Sequence, residues 1–215
     1  MSWQAKLEVE ARNLTRGNSS GHDYWHHWRV MHLCEVIGKA EHLDLNVLKA
    51  CALTHDVYAN DYPHHIDLAL YDAPTVLKNV GFPEHKIPAV IHCIANHENY
   101  APGKVRLSRE ALAFQDADRL DAIGAIGIAR TFTFGGSIGV PLWIPKHMSR
   151  GRDVPWDYHG LSKSTINHFY DKLLRLKNNM NTKTGRRLAV RRHRFMRLFL
   201  REFFSEWPIK PPAHS

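Results

Sequence analysis

Residues Leu45–Val57 read LNVLKACALTHDV, an apolar run closed by the doublet His55-Asp56. Asp44 stands immediately before the run, and its carboxylate suits the N-cap of a helix, so the segment is predicted to be helical with the doublet at its end. That end position matters. Successive residues on a helix point about 100° apart, so two neighbours chelate poorly from mid-helix. At a helix end the backbone can turn and bring both side chains to one point.

The pattern on either side is helical too. Between Trp25 and Ala40 the residues Trp25, Trp28, Val30, Leu33, Val36 and Ile37 recur at three-and-four spacing, which marks one helix face. After the doublet, Val57–His65 (VYANDYPHH) loses that period and contains Pro63, so it reads as a loop. A short helix is expected to stop near Gly81, and Pro83 opens another that leads to Ile91–His97. Ser108 is expected to cap one long helix running through Asp118 and Asp121 towards Phe134, where Gly135–Gly139 (GGSIG) ends it. A loop rich in Gly, Pro and Trp follows, about 135–160, read as a lid or an irregular excursion. Two helices, near Ser162–Met180 and Lys183–Trp207, close the chain. No segment alternates as a half-buried strand does. The expectation is an all-α fold, one domain over 1–215 with its core at about 20–134 and the helices of 162–207 packed onto it.

Composition agrees with that class. The chain has 215 residues, 44% hydrophobic and 23% charged, the balance of an ordinary globular domain. No run approaches the roughly 20 apolar residues of a membrane span. The opening MSWQAKLEVEARN has acidic residues and no apolar signal core, and the three cysteines (Cys34, Cys51, Cys93) lie in apolar helical patterns. Buried thiols in a cytoplasmic protein are therefore expected. The 16 histidines and the net charge of +8 stand out, and much of that charge lies in the last 40 residues.

Read with the doublet, His26 in HHWRV and Asp118 in QDADRLDA complete a set of two imidazoles and two carboxylates. Such a set suits a divalent ion such as Mn, Mg, Fe, Ni or Co better than a closed thiolate zinc site. Four protein ligands on an octahedral ion leave room for water and a substrate oxygen. Asp23, in the rival doublet His22-Asp23, is more simply a helix N-cap. His27 adjoins His26 but faces away from it. No cysteine pair accompanies His92 and His97, which argues against a zinc finger.

The order His26, His55-Asp56, Asp118 resembles the H…HD…D pattern of the HD-domain metal-dependent phosphohydrolases. The resemblance is greatest to the small single-domain bacterial type, in the helix opening His22–Val30 (HDYWHHWRV) and in Gln115–Thr131 (QDADRLDAIGAIGIART). It extends over about residues 20 to 207. It implies an HD-type helical bundle with His26, His55, Asp56 and Asp118 as ligands of one divalent ion. Asp121, second carboxylate of the A-D-x-x-D-A pattern, would orient a ligand. It further implies hydrolysis of a nucleotide or other small phosphate ester by metal-bound water, nucleoside triphosphate pyrophosphohydrolysis being one candidate. His97 would donate a proton to the leaving oxygen or bond a phosphate oxygen, and Asp61 would orient a water or a ligand. Arg29 would reach the phosphate or lock Asp118 or Asp121, and Lys172 would place a point charge on phosphate. The extra histidines His64, His65, His92 and His97 could hold a second ion, but a single ion is expected.

Residues Lys183–Trp207 carry Arg186, Arg187, Arg191, Arg192, Arg194, Arg197 and Arg201 among Leu188, Val190, Phe195, Leu198, Phe199 and Phe203. This amphipathic cationic pattern gives a second reading, a nucleic-acid-binding protein, less favoured than packing of the helix onto the core. A third is an HD fold that binds a nucleotide without turnover. No membrane partner is expected, and the sequence leaves the oligomeric state open.

Overall fold

The structure, a computed structural model, describes residues 1–61, 64–98, 106–145 and 162–207. In order these form α1 (Trp3–Leu14), α2 (Tyr24–Glu41), α3 (Leu45–Thr54), a 3-10 turn (Ala59–Asp61) and α4 (His65–Val80). Then come a 3-10 turn (Glu84–Lys86) that follows Pro83, α5 (Ile87–Asn96), α6 (Arg109–Asp121) and α7 (Gly124–Ser137). Last are α8 (Thr165–His168), a π-helical turn (Phe169–Leu173), α9 (Leu174–Leu176), a 3-10 turn (Lys177–Asn179) and α10 (Lys183–Glu206). Among the described residues there is no strand, and the fold is all-α.

Polar residues set the helix starts. Asp23 accepts the His26 N–H, Asp44 those of Asn46 and Val47, Ser108 that of Ala111, and Thr182 that of Gly185. Each satisfies a backbone donor that the first helical turn leaves open. Gly81, left-handed at φ 82°, ends α4.

Helix α3 lies at the centre and is buried from Val47 to Thr54 save for Lys49. It packs against α1, α2, α5 and α6, which is why its apolar residues run almost all the way round. Leu48 and Leu53 are fully buried, and each stabilises the fold by about 2 kcal/mol. The core begins before residue 20: α1 buries Leu7 and Ala11 against α3 and α4.

The helix expected from Ser108 to Phe134 is two helices. Ile123 is extended, and Gly124 is left-handed at φ 86°. A Cβ on Gly124 would stand 3.0 Å from the Arg192 side chain of α10. The break turns α7 away from the α6 axis so that both helices pack on α10. Gly135 and Gly136 lie in the last turn of α7. The carbonyls of Pro141 and Leu142 accept from Thr165 and Ile166, tying this end of the expected loop to α8. Residues 146–161, most of that loop, lie outside the described residues.

Helix α10 is fastened to α6. Buried Asp116 accepts from the backbone N–H of Asn181 and Thr182 and from the Thr182 hydroxyl, each at 2.7 Å. Gly185 permits this approach, because a Cβ there would fall 2.3 Å from Asp116 Oδ2. Arg192 also donates to the Leu120 carbonyl.

Candidate metal centre

Three helices bring the polar groups together. His26 lies in the first turn of α2, His55 caps the C-terminus of α3, Asp56 follows it, and Asp118 lies in the last turn of α6. His26 Nε2 stands 3.2 Å from His55 Nε2 and 3.7 Å from both Asp56 Oδ2 and Asp118 Oδ1. His55 Nε2 is 3.6 Å from Asp56 Oδ2 and 3.9 Å from Asp118 Oδ1. Both imidazoles are fully buried, whereas the Asp56 and Asp118 side chains retain 12% and 20% of their surface. The carboxylate side is therefore where a substrate can reach.

The imidazole tautomers follow from their other partners. His55 Nδ1 faces the Ala52 carbonyl at 3.1 Å. A carbonyl only accepts, so Nδ1 carries the hydrogen and Nε2 presents a lone pair. His26 Nδ1 likewise faces Asp121 Oδ2 at 2.9 Å. Two imidazole lone pairs and an Asp118 oxygen thus lie within 4.8 Å of one another, and Asp56 Oδ2 stands 3.7 and 3.6 Å from the two imidazole nitrogens. Electron-rich atoms so disposed repel one another unless positive charge lies among them. A proton or a metal cation meets that need, and the N2O2 donor set fits a divalent ion of intermediate hardness.

The electrostatics reflect the same demand. Burial and the Arg130 charge oppose protonation of His26, yet its bonds to Asp121 and Asp56 prevail and raise its pKa. Burial opposes ionisation of Asp56, but the surrounding His55, His26 and His97 hold its carboxyl well below the usual range. His55 is pushed down to about 4, chiefly by burial.

Asp121 holds this arrangement from behind. Besides His26 it accepts from Arg29 Nε at 2.7 Å, Arg29 Nη2 at 3.0 Å and Arg130 Nη1 at 2.9 Å. Of the two expected roles for Arg29, the structure shows the lock on Asp121. Arg130 joins it because α7 folds back beside α6, and its Nε also donates to the Gly21 carbonyl.

A second group adjoins the first and shares Asp56. Asp56 Oδ1 lies 3.3 Å from His97 Nε2 and 4.0 Å from His65 Nε2, and Glu98 Oε1 lies 3.8 Å from His65 Nε2. His97 Nδ1 faces the Ile94 carbonyl at 2.7 Å, so its Nε2 is the atom turned towards Asp56. Burial opposes its protonation, but Asp56 overrides this and raises its pKa to about 9.

The remaining expected residues are placed as follows. Asp61 is exposed on the 3-10 turn, in neither ligand group. Lys172 lies in the π-helical turn, half-buried and near enough to His168 for its charge to act on that imidazole. His27 is buried with Nδ1 on the Ala52 carbonyl, and His92 accepts from the Ser108 N–H. Arg130 and Glu98 were not singled out by the sequence. Arg130 lies inside the distinctive Gln115–Thr131 block and Glu98 directly follows His97, the only signals of either.

Known proteins share this arrangement of helices. The profile of the HD domain family matches residues 24–123. The chain is 38% identical to the uncharacterized protein YpgQ of Bacillus subtilis (strain 168) over 206 residues, covering 94% of this chain and 93% of YpgQ. The crystal structure of B. subtilis YpgQ in complex with ADP superposes with a TM-score of 0.72 at 35% identity, covering 96% of this chain and 98% of that one. A crystal structure of an HD-superfamily hydrolase from Bacillus thuringiensis gives 0.73 at 32% identity, covering 96% and 97%. The crystal structure of a protein from Lactobacillus plantarum gives 0.77 at 31%, covering 95% and 96%.

Proposed function

The chain belongs to the HD domain family, and on that premise we propose that it is a metal-dependent phosphohydrolase acting on a nucleotide. The observation that carries this reading is the convergence of His26 Nε2, His55 Nε2, Asp56 Oδ2 and Asp118 Oδ1. These four would hold one divalent ion. Such an ion supplies a Lewis acid and lowers the pKa of a coordinated water towards neutrality.

The chain's own groups do the rest. Asp121 fixes the His26 tautomer so that Nε2 faces the ligand cluster, and Arg29 and Arg130 fix Asp121. Burial of both imidazoles excludes water from the back of the site, so the reacting phosphate approaches over Asp56 and Asp118. His97 Nε2, turned towards Asp56, holds a proton for the leaving oxygen or bonds a phosphate oxygen. Lys172 supplies a further positive charge to the phosphates.

A nucleotide is the favoured substrate because YpgQ was crystallised with ADP. Cleavage of a nucleoside or deoxynucleoside triphosphate to monophosphate and pyrophosphate is the specific reaction we propose. The test is phosphate and pyrophosphate release from a nucleotide panel after chelation and re-addition of Mn, Mg, Ni or Co, with Asp56→Ala beside the wild type. Release should need both the metal and Asp56. No release with any metal, while the ion binds tightly, would move the protein to the class that binds nucleotides without turnover.

A further inference from the structure

Helix α10 has two faces of opposite character. Gly185, Ala189, Met196 and Leu200 are buried against the core. Half a turn round, Arg187, Arg191, Arg194, Arg197 and Arg201 are all exposed. Between them lie Val190 and Leu198, 51% and 43% exposed. The five guanidiniums recur once per turn over 14 residues, about 21 Å of helix. Lys177 and His193 join Arg194, Arg197 and Arg201 around an open groove of about 710 Å³. Burial together with the charges of Lys177 and Arg197 keeps the His193 pKa below its usual value.

A merely solvated helix face is ordinarily relieved by glutamates three or four residues from its cations. Among the described residues, the one ion pair on this face is Arg201 with Glu202. Like charges one turn apart destabilise the helix, and from Arg187 to Arg197 they recur with no ion pair among the described residues. We propose that this outward face of α10 docks the phosphate backbone of a nucleic acid, independently of sequence and of the metal centre. Guanidinium groups pair with phosphate oxygens bidentately, and 21 Å matches about six nucleotide steps of a strand. Exposed Phe195 on the flank offers a stacking surface for an unpaired base. A membrane surface fits less well. A helix lying on lipid needs a continuous free apolar face; the buried stripe of α10 packs on the core, and exposed Val190, Phe195 and Leu198 stand singly among the arginines. A lone small phosphate would leave most of the stripe unpaired.

The test is fluorescence anisotropy of the full chain with labelled oligonucleotides of about 24 residues, single-stranded and duplex, as salt rises. Six cations (the five arginines and Lys177) predict a slope of log affinity against log salt of about −4 to −5, hence a loss of several hundredfold between 50 and 200 mM. R194E/R197E/R201E, all exposed positions, should weaken binding at 50 mM by more than about 100-fold. Its circular dichroism should match the wild type and its melting should be no lower, since the charge reversal relieves like-charge contacts, which separates lost docking from lost folding. Three results would overturn the proposal: no binding at 50 mM, equal binding by the triple variant, or binding only to phosphatidylglycerol vesicles.

Discussion

Arg29 clasps Asp121 through two parallel bonds, Nε to Oδ1 and Nη2 to Oδ2, and so fixes the plane of a carboxylate that also bonds His26. Asp121→Asn would keep the shape but replace one oxygen by a donor facing donors. The expected result is a fall of about 10–100-fold in divalent metal affinity, read by calorimetric titration with Mn. Unchanged affinity would remove Asp121 from the support of His26.

Gly124→Ala tests the turn between α6 and α7. A side chain in left-handed geometry costs about 1–2 kcal/mol, here with Arg192 pressed against the new Cβ. Melting should occur about 2–8 °C lower. An unchanged melting temperature would mean that the turn relaxes freely.

Acid stability should depend on His168. Burial, with the charge of Lys172, lowers its pKa from 6.5 to about 3. Below pH 6.5 the unfolded chain protonates this imidazole while the folded chain does not. Stability is therefore lost as pH falls from about 6.5 towards 3, by up to one proton's worth of slope. His168→Gln should flatten the denaturation midpoint against pH over that window relative to wild type. Parallel profiles would show that the imidazole protonates freely in the fold.

The three thiols should be inert in the native protein. Cys34, Cys51 and Cys93 are buried, and burial raises the pKa of Cys34 and Cys51 well above the ordinary thiol range. Disulfide-exchange reagents should label none of the three at neutral pH and all three in denaturant. Rapid native labelling would reveal opening of the α2–α3–α5 core.

Much of this was legible in the chain itself. Asp44, Asp23 and Ser108 announce their helices by a local bond that needs no tertiary context. The doublet at a helix end could be placed for the same reason. What escaped was whatever depends on how helices meet. The stretch LDAIGAIGIART keeps a helical apolar rhythm through Gly124, and only packing against Arg192 shows why the chain turns there. In a continuous helix Arg130 would stand about 13 Å along the axis from Asp121; the turn brings the two into contact. Glu98 approaches His65 across two helices, a proximity no spacing encodes. Helix α1 went unassigned because it buries only Leu7 and Ala11, too few to set up a period.

The clamp on Asp116 bears on the order in which the molecule is made. Its partners Asn181 and Thr182 come 65 and 66 residues later, and Glu41 waits 143 residues for Thr184. Such distant closures make for slower folding than neighbour-to-neighbour helix pairing. At roughly 5–20 residues per second, the ribosome delivers Asp118 about 3–13 s before the segment that secures its helix. The expected sequence is therefore synthesis first and metal capture afterwards, with a nascent chain that holds all four ligands but not yet the frame to aim them.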